Sequence, residues 1–213
     1  MSNAVATTGI LIKRGAGDLS ITRTVTSSSV ANPSVITTGT AHGFANGDTV
    51  LITGHTGSTP NINGSWVISG ASGSTFTIPV NVTVGGTGGT VANMGALTTI
   101  GELVSVTPPG YSRNKLETTT HNDGAESSVL GILRQKDAGF RVNYVGGDAT
   151  HASLLSDMQS NVKHAWQVLF PSGLRFDGPA RVQRFEIVDA PVDAIQQADC
   201  ALVWAGPVVS SVT

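Results

Sequence analysis

One long stretch of this chain is almost without charge. Residues 25–90 contain a single Lys, Arg, Asp or Glu, which is Asp48. Every other member of the chain's 12 basic and 14 acidic residues lies outside that stretch. A soluble surface normally carries charge, so two such different compositions point to two modules. About half of the pale segment is Gly, Ser and Thr; Thr suits strands, while Gly and Ser suit tight loops. Short apolar runs (SVITT, DTVLIT, SWVIS and STFTIPVNVTV) sit between clusters of turn residues. In the last run Phe76, Ile78, Val80, Val82 and Val84 share one parity, and Thr75, Thr77, Pro79, Asn81 and Thr83 share the other. That is a strand period of two with one buried face. Pro79 has no backbone donor, which places this strand at a sheet edge. Residues 25–90 therefore read as a small all-β module inserted in a host domain.

The host sequence, 1–24 and 91–213, is also strand-rich. TTIGELVSVTPPG reads as a strand that stops at Pro108-Pro109, and RNKLETTT as a second, short one. AGFRVNYVGG puts Phe140, Val142 and Tyr144 on one face and Gly139, Arg141 and Asn143 on the other. HAWQVLFPSG, LRFDG, RVQRFEIVDAP and ADCALVWAG follow. The parity slips between Val182 and Phe185, the signature of a bulge. DATHASLLSDMQSN breaks the pattern: Leu154, Leu155 and Met158 have helical spacing, and Asp148 or Thr150 is placed to cap. The predicted fold is mainly β, with one helix covering a sheet face.

Composition excludes several functions. With 213 residues and 39% hydrophobic content, the chain can bury a real core. A formal net charge of −2 argues against gripping nucleic acid by phosphate neutralisation. Charged residues make up only 12%, against a usual value of roughly 25%, which suits a surface covered by copies of itself. Cys200 is the only cysteine, so neither an intrachain disulfide nor a CxxC metal pattern exists. The N-terminal MSNAVATTG lacks the basic and apolar regions of a signal peptide. ALVWAGPVV is too short to span a membrane. The expectation is a protein made in a cytoplasm, with no membrane partner.

Catalytic patterns are missing too. There is no G-x-S-x-G elbow and no G-K-[ST] phosphate loop. GGTGGT at 85–90 lies between strands and reads as a hairpin turn, with no helix N-terminus to hold an anion. His42 and His55 sit in glycine-rich turns with no third ligand nearby. His121, Asp123 and Glu126 read as a polar loop. Asn63-Gly64-Ser65 and Asn81-Val82-Thr83 match a glycosylation pattern that carries no weight without a signal peptide. Phe44 and Trp66 read as core. No enzyme activity, metal or cofactor is expected.

The segments TTIGELVSVTPPGYSRNKLETTTHNDG, LRQKDAGFRVNYVGGDATHASLLSDM and VLFPSGLRFDGPARVQRFEIVDAPVDAIQQADCALVWAGPV resemble, in order and spacing, the major tail tube proteins of long-tailed (siphovirus-type) bacteriophages. The likeness covers residues 1–24 and 91–213. The insert resembles small β-rich modules of phage virion proteins, with patterns such as ITTGTAHGFANGDTVLITG and NGSW. The resemblance implies a tail-tube β-sandwich or barrel protomer with one covering helix. Hexameric rings of it would stack head-to-tail into a virion tube through which DNA passes without specific binding. Implied partners are sister copies and the tape measure, tail terminator and distal tail proteins. The segment from Pro108 to Glu126, with Pro109, Tyr111, Arg113, Asn114, His121 and Asp123, is expected to be a long loop reaching the next ring. Glu117, Asn143 and Glu186 are expected to face the channel. Arg141 is expected there as well, neutralised by a carboxylate of a neighbouring protomer. The insert would decorate the outside, either attaching weakly to a host-surface glycan or making a stabilising contact between neighbours.

Two rival readings keep the β architecture. One is a secreted carbohydrate-binding module, disfavoured by aromatic content of 5%. The other is the tube protein of a contractile or type VI-like injection system.

Overall fold

Alternating side chains dominate the chain, and nearly all of those runs fold as strands. A computed structural model describes residues 9–17, 19, 21–118, 128–189 and 195–212. In chain order the strands are β1 (Leu11–Gly15), β2 (Thr22–Ser28), β3 (Ser34–Thr38), β4 (Thr49–Thr53), β5 (Gly64–Val67) and β6 (Ser69–Ser72). Next come β7 (Thr75–Ile78), β8 (Thr90–Gly95), β9 (Leu97–Thr99), β10 (Leu103–Thr107), β11 (Gly110–Glu117), β12 (Ser128–Lys136) and β13 (Ala138–Asn143). Helix α1 (Ala149–Ser160) precedes β14 (His164–Leu169), β15 (Leu174–Asp189), β16 (Gln197–Trp204) and β17 (Val209–Val212).

Three sheets result. The largest runs β10-β13-β16-β15-β14-β1-β9, with β17 also paired to β15. Its border strands β9 and β10 are consecutive in the chain. The Ile100 amide still donates to the Ile12 carbonyl, while the Glu102 carbonyl accepts from the Asn143 amide. Three residues thus carry the backbone from one border to the other, with Glu102 at a left-handed φ of 54°. The sheet curls into a nearly closed, barrel-like wall. Its interior is filled by Ile12, Phe140, Val142, Trp166, Val168, Val182, Cys200 and Leu202, all buried.

The covering helix is present where the spacing placed it. Asp148 caps it, accepting from the Thr150 amide at 2.7 Å and the Thr150 hydroxyl at 2.6 Å. Its buried row is His151, Leu154 and Asp157, with Leu155 and Met158 only half-buried. The reason is an ion pair: Arg14 on β1 donates two hydrogen bonds to the Asp157 carboxylate, one of them 2.8 Å long, and His164 on β14 lies 3.1 Å from it. A buried carboxylate is tolerable only with such partners.

The second sheet, β5-β4-β8-β2-β3-β7-β6, is built between Thr22 and Gly95. Val25, Ile36, Val50, Ile52, Ile62, Phe76, Ile78 and Val91 form its own core. Phe76, Ile78, Val80 and Val82 are buried as the alternation required, whereas Val84 is 51% exposed. Two expectations fail here. β7 is not at an edge: it pairs with β3 on one side and β6 on the other. It stops at Ile78, so Pro79 lies just past the ladder, where no donor is needed. GGTGGT is not a tight hairpin turn either. It runs extended between two segments, with Thr87 bridging both Ser27 and Thr56. A Cβ on Gly86 would sit 2.4 Å from the Thr56 carbonyl oxygen, so only glycine permits that approach.

The two sheets are packed together rather than strung on a linker. β14 is buried on both faces: Trp166 and Val168 face the barrel interior, while Ala165 and Gln167 face the second sheet. Leu51, Met94 and Ala165 form a small shared core with Leu19, Leu97 and Val209 around it. Across the junction Gln167 donates to Ser65 at 3.0 Å, and Arg175 stacks on Trp66 at 5.4 Å. No helix among the described residues is long and apolar enough to cross a membrane.

Candidate assembly interface

The third sheet is a two-stranded ribbon, β11 paired with β12. The expected loop from Pro108 to Glu126 is thus corrected. Residues 110–117 form a strand whose partner, 128–136, sequence reading did not pick out. Tyr111, Arg113 and Asn114 lie on this strand, and Glu117 ends it opposite Ser128. His121, Asp123 and Glu126 lie outside the described residues. The base is anchored: Pro109 is buried, and the Tyr111 hydroxyl donates to the Val208 carbonyl at 3.0 Å. A bulge between Arg113 and Lys115 shifts the register midway.

Beyond the base the ribbon carries large apolar side chains that none of the described residues covers. Leu116, Val129, Leu130, Ile132 and Leu133 are all at least half exposed, Ile132 at 83%. Two strands cannot bury a face on their own. A patch of this kind on a soluble protein marks a contact surface or an aggregation hazard. The run VLGIL was the available signal, but its apolar residues fall on both parities and fit no half-buried template.

The borders of the barrel sheet form a second open feature. The outer edge of β10 is unpaired among the described residues. A cleft of about 600 Å3 lies along the seam, lined by Gly9, Ile10, Leu103, Val106, Pro108 and Phe170.

A third feature is the polar face of β13, β16 and β15, opposite the barrel interior. Arg141 lies opposite Asp199, and Asp199 lies opposite Glu186; Asn143 lies opposite Gln197. Arg141, Asn143 and Glu186 therefore share one sheet face, and Glu117 on the ribbon does not belong to it. Arg141 donates to Asp199 at 2.6 and 3.1 Å, and Arg184 lies 4.0 Å from the same carboxylate. The carboxylate neutralising Arg141 thus comes from the neighbouring strand of the same chain, not from another protomer. Asp199 was not picked out from the sequence, although it occupies the exposed parity of ADCALVW. The hydrogen bond from Arg141 holds its carboxyl below the ordinary value, helped by the charges of Arg141 and Arg184 and opposed by partial burial. Arg181 lies opposite Val203 on the same face, so three arginines meet two carboxylates there. The parity slip in RVQRFEIV is a real register shift, between Val182 and Arg184.

The remaining candidates are structural. His42 accepts from the Phe44 amide through Nδ1 at 2.9 Å, so its Nε2 donates to the Thr75 carbonyl. His55 donates through Nδ1 to the Gly88 carbonyl and accepts from the Ser28 hydroxyl. Both histidines hold turns of the second sheet. Trp66 is half-buried, with Nε1 donating to the Ile62 carbonyl at 2.7 Å. Burial pushes the Cys200 thiol up to about 12, so it behaves as an apolar core side chain. Among the described residues no three His, Cys, Asp or Glu are grouped to hold a metal.

No protein-family model and no curated protein matches the chain. Several solved structures superpose on part of the chain at low identity. A chain from the virion of a native gene transfer agent particle superposes with a TM-score of 0.46 and 13% identity, over 54% of this chain and 88% of that one. A chain from the tail of an empty gene transfer agent particle, refined with C6 symmetry, gives 0.46 and 15% over 56% and 87%. A chain from the baseplate of an anti-feeding prophage gives 0.44 and 5% over 54% and 83%.

Proposed function

We propose that this protein is a structural protomer of a phage tail tube. Copies associate in rings, six to a ring as the sequence resemblance implies, and the rings stack into a hollow cylinder that conducts DNA. The observation that carries the reading is the β11–β12 ribbon: an anchored arm whose edges and apolar surface are left open among the described residues. An arm of that kind is completed by another chain. A contact between unlike surfaces of identical copies repeats without closing and generates a filament. The open β10 border and the seam cleft offer a surface that the arm of a neighbour can fill. The polar face of Arg141, Asn143, Glu186 and Asp199 suits a lumen: it is hydrated, and Asp199 already engages Arg141 and Arg184, which weakens their hold on phosphates. The inserted module of residues 25–90 sits on the outer surface of such a tube as decoration, and the remaining tail proteins cap and fill the cylinder.

Negative-stain electron microscopy of the purified protein tests this directly. Rings or tubes are expected from the natural sequence. Leu130→Lys with Ile132→Lys, both exposed in the protomer, should leave folding unchanged and abolish assembly. A natural protein that sediments as a single copy at high concentration, or a double variant that still forms tubes, defeats the proposal.

A further inference from the structure

The junction between the two sheets holds an open cleft of about 420 Å3, where Lys13, Thr49, Ser65, Gln167 and Arg175 meet the apolar Val67, Leu97 and Leu169. We infer that this cleft is a binding site for the carboxylate or phosphate group of a small polar molecule.

Arg175 lines this cleft from β15. It is only 9% exposed, yet its hydrogen bonding is incomplete. Its Nε donates to the Ser211 hydroxyl at 2.7 Å, and its plane lies over Trp66. The two terminal amino groups have no hydrogen-bond partner among the described residues. The space of Nη2 is kept by Gly64, where a Cβ would stand 2.8 Å from it. A guanidinium held rigidly by stacking, with its paired amino groups unspent, matches the two oxygens of a carboxylate or phosphate. Lys13 on β1 lines the same cleft and supplies a second positive charge without a hydrogen-bonded partner among the described residues. Ser65 and Gln167 are both at most 5% exposed, and their polar groups are already joined to each other. They give the site a fixed wall.

One acidic group opposes binding. Asp177 is fully buried beside Arg175, with its Oδ2 3.6 Å from the guanidinium Nε. It also accepts from Gln167 at 2.8 Å. Desolvation shifts this carboxyl towards its neutral form, against the hydrogen bond from Gln167 and the charges of Arg175 and Lys13. Two cations thus face at most one anion, and the surplus is positive. The lining joins hydroxyl and amide groups to the apolar Val67, Leu97 and Leu169, which suits a carrier with polar and apolar faces, and the volume fits a molecule of about one sugar ring.

This inference stands apart from the assembly reading, since the cleft lies within one chain. Titration calorimetry on the full chain tests it, with glucuronate, inorganic phosphate and glucose as probes. Binding of at least one of the anions is expected, with glucose at least tenfold weaker. Glucuronate alone identifies an acidic sugar as the ligand class, and phosphate alone a phosphorylated one. Lys13→Gln should weaken the anion at least fivefold, while Lys115→Gln on the distant ribbon should not change it. The site is refuted if neither anion binds, if glucose binds equally, or if the two lysine variants behave alike, which would indicate general surface charge.

Discussion

At the scale of single residues, hydrogen bonds decide more here than charge does. Asp148 stands at the start of α1 with its carboxylate taking both the amide and the hydroxyl of Thr150. These bonds hold its carboxyl below the ordinary value of 3.8. A depressed carboxylate contributes stability above its unfolded pKa and loses it as pH falls through the folded one. Asp148→Ala should therefore cost about 1 kcal/mol at neutral pH. Asp148→Asn should keep most of the cap while removing its share of the acid dependence. Thermal melts from pH 7 down to pH 3 would show both effects, and equal losses for the two variants would contradict this account. His42 and His55 teach a related lesson. From the sequence they are two histidines in glycine-rich turns, and nothing local says that both ring nitrogens of each are engaged by backbone and hydroxyl groups across the fold.

At the scale of elements, the helix and the ribbon behave oppositely. α1 is short and weakly apolar, and it is fixed by what it docks against. Asp157 is 3% exposed and meets Arg14 and His164, which come from two different strands. Breaking such a buried pair leaves a charge without compensation, so Asp157→Ala should cost roughly 3 kcal/mol. Urea unfolding measures this, and a loss below about 1 kcal/mol would mean that Leu154 alone holds the helix. The ribbon has no comparable docking beyond Tyr111 and Pro109. Its strands were only half legible: RNKLE pointed to one, whereas VLGIL lacks the alternation that a half-buried strand shows. That lack has a physical basis, because Val129, Leu130, Ile132 and Leu133 on both faces of β12 are exposed among the described residues. β14 hides its pattern for the converse reason. HAWQVL is buried on both sides, and only the docking of the second sheet explains why Gln167 is inside.

At the scale of the whole molecule, the unfinished surfaces define the protein. The barrel sheet leaves a seam, the ribbon leaves an apolar arm, and on the polar face Asp199 and Glu186 offset most of the charge of Arg141, Arg181 and Arg184. If that face lines a channel, upsetting the balance should make the channel hold DNA. Assembled Asp199→Asn tubes should retain short DNA fragments at low ionic strength and release them as salt rises. Tubes of the natural sequence should not retain them in a filter-binding assay. Equal retention by both would place this face away from the lumen.

The residues themselves determined the β class, the parity of the runs around Phe76 and Phe140, the helix with its cap, and the change of composition at 25–90. Those features are local: a period of two, a period near four and a capping residue are each set within a dozen positions. The tertiary structure alone decided that β7 is flanked on both sides, that LRFDG and RVQRFEIVD form a single 16-residue strand, and that Arg141 meets Asp199 across 58 positions of sequence. It also brought Arg175, Lys13 and Ser65 together around one cleft. Pairing partners and shared cavities depend on how the sheet closes, and closure depends on contacts between segments far apart in the chain.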